Sequence, residues 1–122
     1  MADFDINQIA STLDSEDMIG FTRAFVEDIR KGLNAVNVER YPWIEEIGNG
    51  QWRGVLALGM GGSAAGGDFL SSICDLKGAI PVIVQRDYVI PAWWNEQWLV
   101  IATSHSGNTE EAIEATEIAL KL

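Results

Sequence analysis

Two short apolar runs, residues 55–59 and 99–103, each lead into a segment rich in glycine and hydroxyl residues and then into a helical pattern. The first segment is GMGGSAAGGD, over residues 59–68, and the second is TSHSGNTEE, over residues 103–111. Apolar runs without alternation are typical of parallel strands that are covered on both faces. A loop between such a strand and a helix leaves backbone N–H groups unpaired at the helix N-terminus, where they favour an anion. Two such loops therefore predict one shared phosphate site.

The rest of the chain completes an α/β pattern. Apolar residues at spacings of three and four predict a helix over residues 15–36, with Asp14 or Ser15 as its cap. The remaining predicted elements are a short helix and connecting loop over 41–54, a strand over 80–85, and helices over 69–76 and 110–122. This order predicts a doubly wound parallel α/β sheet with a leading amino-terminal helix.

The three predicted strands suit the flavodoxin-like order 2-1-3. In that order the first and third strands are neighbours at the switch point of the sheet, where ligands bind and where both loops would meet. The chain is thereby expected to divide into an amino-terminal helical segment with its connector, residues 1–54, and an α/β segment, residues 55–122.

Acidic residues outnumber basic ones, with 18 Asp and Glu against 8 Lys and Arg, which gives a net charge of −10. This charge repels nucleic acid and anionic membranes, so neither is predicted as a partner, and an anionic ligand needs local dipoles and hydroxyls. No apolar run approaches the ~20 residues of a membrane span, and the acidic start predicts a cytoplasmic protein. A single cysteine, Cys74, is interpreted as a packing residue, and neither a metal nor a cofactor is predicted.

The candidate ligand-binding residues lie in the two loops. They are Gly62 and Ser63 in the first loop, and Ser104, Ser106 and Thr109 in the second. Glycine lets the backbone approach a ligand, and neutral hydroxyls donate to phosphate oxygens without a counter-charge. Either loop by itself also fits a tight turn or a helix cap, but the pair favours a phosphate site.

Other interpretations of the same residues stay open. GMGGSA also satisfies the dinucleotide fingerprint G-x-G-x-x-A, and Asp87 follows the second strand, where a ribose-binding acid would lie. That interpretation leaves the second loop unexplained, and no lysine lies between Arg53 and Lys77 to complete a P-loop. His105 has two possible roles. It either acts as a catalytic acid or base near neutral pH, or it is a residue that faces solvent or packs against its neighbours. The tryptophans at 93, 94 and 98 fill the core or form an interface.

These motifs resemble those of the sugar isomerase (SIS) domain family, and within it the bifunctional phosphoglucose/phosphomannose isomerases. The stretches 59–68 and 104–111 are similar to the family's two phosphate loops, and the stretch from Arg86 to Tyr88 with Pro91 is similar to the segment between them. The resemblance covers essentially the whole chain, but only the first part of a family member. It implies that the five candidate residues bind the phosphate of a hexose 6-phosphate. The family interconverts glucose 6-phosphate or mannose 6-phosphate with fructose 6-phosphate.

The resemblance also implies what these 122 residues lack. The family's catalytic glutamate, histidine, lysine and arginine lie beyond the last residue, so no catalytic residue is predicted. His105 stands where the family often has an aromatic or small residue. We therefore expect the amino-terminal part of an isomerase, a phosphosugar-binding homodimer with little or no isomerase activity by itself. The alternative is a non-catalytic regulatory SIS module that senses a phosphosugar.

Overall fold

The computed structural model describes residues 5–122 and divides into two compact units, Met1–Asn49 and Gly50–Leu122. In the described part of the first unit, the helices are α1 (Ile6–Leu13), α2 (Met18–Ala35) and α3 (Trp43–Asn49). Helix α2 lies inside the predicted range and α3 is the predicted short helix, whereas α1 was not predicted. No residue of these three helices is buried.

The start of α2 differs from the prediction in one respect. Its N-cap is Asp17, in the left-handed conformation with φ of 53°, and the Asp17 carboxylate accepts the Gly20 N–H. Asp14 lies one turn earlier, yet its two carboxylate oxygens accept the N–H groups of Met18 and Ile19, each at 2.8 Å. Two aspartates together therefore satisfy the first three amides of α2.

The second unit contains strands β1 (Gly54–Leu58), β2 (Val82–Gln85) and β3 (Trp98–Ala102), with helices α4 (Gly61–Lys77) and α5 (Glu110–Lys121). The strand order is β2-β1-β3, and both neighbours run parallel to β1. Val55 pairs with Val82 on one side and with Leu99 on the other. The predicted α/β sheet of order 2-1-3 is confirmed.

Strand β1 is buried along its whole length because each face of the sheet carries a helix. Val55 and Ala57 pack with Val82 on the α4 side of the sheet, together with Leu70 of that helix. On the other side, Leu56 and Leu58 pack with Ala115 of α5. The unbroken apolar run of β1 is explained by this two-sided burial.

Helix α4 begins at Gly61, eight residues before the predicted start of the helix at Phe69. Glycine disfavours helix, but here the close approach of helix and sheet requires it. A Cβ on Gly67 would lie 3.0 Å from the Ala57 Cβ and 3.1 Å from a Val84 methyl. The glycine-rich segment is therefore mostly helix, and only its first residues form a loop.

The tryptophans separate into different roles. Trp94 packs against the Leu56 and Leu58 cluster, and Trp98 covers Gly54, where a Cβ would lie 2.3 Å from its ring. Trp93 is 48% exposed and contacts Trp98 with ring centroids 4.8 Å apart. Over residues 5–122, no helix combines the length and the apolar character needed to cross a bilayer.

Candidate functional site

The two predicted loops meet at the carboxyl ends of β1 and β3. The Thr103 N–H donates to the Leu58 carbonyl at 2.9 Å, which extends the pairing of the two strands to their last residues. Gly59 follows at once, and a Cβ there would lie 3.1 Å from the Thr103 carbonyl oxygen and 3.3 Å from the Ala64 nitrogen. A glycine at this position lets the start of α4 and the end of β3 approach each other.

A hydrogen bond joins the loops directly. The backbone N–H of His105 donates to the Ser63 Oγ at 3.2 Å, across 42 positions of sequence. An open cavity of about 610 Å³ lies beside this contact. Its lining residues are Met60, Gly62, Ser63, Thr103, Ser104 and His105.

The second loop gathers its three hydroxyls around Ser104. The Ser104 Oγ lies 2.9 Å from the Thr109 Oγ1 and 3.4 Å from the Ser106 Oγ. It also accepts the Gly107 N–H at 3.0 Å, a contact that Gly107 makes in the left-handed region with φ of 68°. The Ser106 Oγ accepts the Asn108 N–H at 3.2 Å.

The hydroxyls of Ser63, Ser104 and Ser106 thus share one property. Each accepts a backbone N–H, from His105, Gly107 and Asn108 in that order. A serine hydroxyl that uses a lone pair in this way still has its own proton to donate. Each of these hydroxyls therefore keeps its own proton, and within the cluster around Ser104 that proton is donated either to a neighbouring hydroxyl or to a ligand.

The helices that start at the site have no side-chain caps. At α4 the Met60 carbonyl accepts the N–H groups of Ser63 and Ala64, at 3.0 and 3.2 Å, and no side chain caps the helix. The amides of Gly61 and Gly62 have no acceptor among the described residues. These two N–H groups are the donors that a helix N-terminus offers to an anion.

At α5 the N-cap residue is Thr109, a type that commonly caps its own helix. Its hydroxyl lies at hydrogen-bond distance from Ser104 instead and makes no cap hydrogen bond. The first-turn amides of Glu110 and Glu111 likewise have no acceptor among the described residues. Both helices therefore bring unpaired backbone dipoles to the same end of the sheet.

The acidic side chains of this region are engaged elsewhere. The charge of Glu111 is the largest cause that raises the pKa of Tyr88 above its ordinary value. Burial and the charges of Glu110 and Glu114 raise that pKa further. None of these carboxylates lines the cavity next to Ser63. Asp68, farther along α4, forms an ion pair with Arg86.

The structure gathers the sequence candidates in two groups. Gly62, Ser63 and Ser104 line the cavity, and Ser106 and Thr109 belong to the hydroxyl cluster around Ser104. Sequence reasoning missed two contributors, the free amide of Gly61 and the bridging amide of His105. The sequence signal for Gly61 was its place in the glycine-rich segment that directly follows the predicted strand.

Comparison with known proteins gives relatives of one kind. Over 65 residues the chain is 52% identical to a bifunctional phosphoglucose/phosphomannose isomerase of Caldicellulosiruptor bescii, which covers 53% of this chain and 19% of the relative. Proteins of the same name from Thermoplasma volcanium and Aquifex aeolicus are 43% and 36% identical over 72 and 70 residues. These two matches cover 59% and 57% of this chain, and 23% and 22% of the relatives.

The predicted resemblance to bifunctional phosphoglucose/phosphomannose isomerases is confirmed, but the matches cover 53–59% of the chain and not essentially all of it. The chain spans about a fifth of the length of the curated relatives that it matches. No family model and no solved structure gave a significant match.

Proposed function

We propose that this chain forms the phosphate-binding part of a phosphosugar isomerase that acts on hexose 6-phosphates. The observation that carries the proposal is the hydrogen bond between the His105 N–H and the Ser63 Oγ, because it closes the two loops around one cavity. The names of the relatives support the sugar part of the proposal.

The donors suit a phosphate monoester. The free amides of Gly61 and Gly62 provide helix-terminal dipoles, and the hydroxyls of Ser63, Ser104 and Ser106 provide neutral donors. Thr109 completes the hydroxyl cluster. A chain of net charge −10 repels an anion at long range, so several short-range donors acting together must supply the affinity.

The proposed reaction in the longer protein is the interconversion of glucose 6-phosphate or mannose 6-phosphate with fructose 6-phosphate. It moves a proton between C1 and C2 of the open-chain sugar. The lining of the cavity contains no carboxylate to serve as the base, so we propose little or no isomerase activity for these 122 residues alone. We propose further that the protein is a cytoplasmic homodimer, with the exposed ring of Trp93 as a candidate contact.

The dinucleotide alternative is less well supported. Asp87, its candidate ribose ligand, accepts the N–H of the adjacent Tyr88 at 2.7 Å and is engaged within its own turn. That alternative also gives no role to the hydroxyl cluster around Ser104. The regulatory alternative uses the same phosphate site and is distinguished by a coupled isomerase assay.

The proposal is tested by titrating the chain with glucose 6-phosphate, fructose 6-phosphate and inorganic phosphate while recording amide NMR spectra. We expect the amides of Gly61, Gly62 and His105 to shift in one saturable process. Ser63→Ala should weaken binding about tenfold to a hundredfold, because it removes a hydrogen bond to a charged group. Ser72→Ala is the matched control, since the Ser72 hydroxyl bonds to the Asp68 carbonyl within α4. Absence of any response at millimolar ligand contradicts the proposal.

A further inference from the structure

The proposed phosphate site uses the backbone N–H of His105 but gives its side chain no role. His105 is the single histidine of the chain, and it lies between two of the serines that form the hydroxyl cluster. Its backbone nitrogen lies 3.2 Å from the Ser63 Oγ, so its Cα, one bond away, is within about 5 Å of that hydroxyl. An imidazole attached there is within reach of a phosphate that Ser63 binds.

The surroundings of His105 contain no group that would neutralise its charge at the cavity. The lining that α4 contributes, Met60, Gly62 and Ser63, has no charged side chain, and neither do Thr103 and Ser104 on its own loop.

The nearest charged groups along the packed elements have other partners. Asp68 of α4 pairs with Arg86. At the start of α5, the charge of Glu111 acts chiefly on Tyr88, and Glu110 and Glu114 line a separate cleft together with that tyrosine. Among residues 5–122, His105 is therefore the only titratable residue that borders the cavity.

We infer that His105 is a ligand-binding residue of the phosphate cavity, and that its protonated imidazole adds a positive charge which tightens the binding of phosphate monoesters as the pH falls. The inference rests on the proposed function and assigns His105 a contact with the ligand. Histidine suits the role because its charge changes between about pH 5 and 8. A protonated imidazole attracts a bound anion, and by reciprocity a bound anion favours the protonated imidazole.

The test measures the dissociation constant of glucose 6-phosphate for the wild type and for His105→Gln at several pH values. The phosphate of the ligand titrates in the same range, but this contribution cancels in the ratio of the two constants at each pH. We expect the ratio to be close to one at about pH 8 and to rise to about two- to fivefold at about pH 5.5, as for an exposed ion pair. His105→Lys should bind as tightly as the protonated wild type at both pH values.

A second readout uses the single imidazole resonance. We expect saturation with glucose 6-phosphate to move its NMR titration curve to higher pH, which a histidine with a purely structural role would not show. The inference is overturned if the ratio of the two dissociation constants is constant over this pH range and the imidazole titration curve does not move. In that case the binding of glucose 6-phosphate still supports the proposed function. If neither protein binds glucose 6-phosphate at any pH, the proposed function and the inference both fail.

Discussion

Helices α1 and α2 of the first unit are capped by aspartates at their own N-termini, whereas the helices of the second unit that start at the candidate site have no side-chain cap. Asp5 accepts the Asn7 N–H at the start of α1, and Asp14 and Asp17 accept three amides at the start of α2. Helices α4 and α5 have Met60 and Thr109 as their N-cap residues, and neither side chain makes a cap hydrogen bond. An uncapped helix start leaves donors that water or a ligand must satisfy.

The absence of caps at α4 and α5 indicates where a ligand is expected. An aspartate at a helix start supplies a fixed negative charge, which stabilises the helix and excludes a second anion. At α4 and α5 the chain provides glycines and neutral hydroxyls instead, so the same dipoles stay available. Stability at those two helix starts is thus expected to depend on the ligand, and stability at the start of α2 is not.

The largest effect is expected where capping is strongest. Asp14→Ala removes the acceptor of two amides, those of Met18 and Ile19, and should cost α2 about 2 kcal/mol. Native-state hydrogen exchange measures this locally, and the α2 amides should exchange about thirtyfold faster, with or without phosphate.

Asp28→Ala is the matched control on the same helix. Asp28 forms only an exposed ion pair with Lys31, at 3.3 Å, so its loss should cost about 0.5 kcal/mol or less. Equal acceleration of exchange in the two variants would show that the aspartate caps do not determine the stability of α2.

Part of the fold and of the candidate site could be predicted from the sequence, because local patterns of residues determine it. The apolar residues 55–58 predicted a strand covered on both faces, and β1 is buried on both faces. Ser104, Ser106 and Thr109 were predicted as candidate ligands of one loop, and their hydroxyls lie within hydrogen-bond distance of one another. Both features depend on neighbours in the chain or on strand order.

The rest depends on contacts that distant residues make. The helical start of α4 contradicts the low helix propensity of glycine, and the reason is the contact of Gly67 with β1 and β2. Thr109 is a common N-cap type, and only the structure shows its hydroxyl beside Ser104. Helix α1 carried a signal in Ile6, Ile9 and Leu13, but a segment of 8 residues gives a weak pattern.

A smaller effect with two opposite consequences is expected at Gly62. A Cβ there meets no atom within 4 Å, so alanine fits and should stabilise α4 by up to about 1 kcal/mol. The same methyl group extends from the lining of the cavity, so Gly62→Ala should weaken glucose 6-phosphate binding while raising the midpoint of thermal unfolding.

Two neighbouring glycines of α4 serve as controls. A Cβ on Gly66 also meets no atom within 4 Å, and Gly66 does not line this cavity, so Gly66→Ala should raise stability and leave binding unchanged. Gly61 has φ of 50°, so Gly61→Ala should lower stability by about 1 to 2 kcal/mol. If Gly62→Ala and Gly66→Ala bind glucose 6-phosphate equally well, the ligand does not approach the uncapped start of α4.

The smallest effect concerns Glu111, a carboxylate in the first turn of α5. Glu111 raises the pKa of Tyr88, chiefly through its charge, so Glu111→Gln should shift the phenol titration to lower pH. The charge of Glu111 repels the phenolate and not the neutral phenol, so this cost is absent below the ordinary tyrosine pKa of about 10 and stability falls as the pH rises through the raised value. Tyr41→Phe leaves Tyr88 as the single tyrosine of the chain, so the absorbance of the phenolate then reports the titration of Tyr88. Glu117→Gln, which removes the ion pair with Lys121, is the control. An unchanged Tyr88 titration in Glu111→Gln would show that the Glu111 carboxylate does not act on the phenol and is available to cap α5, as Asp17 caps α2.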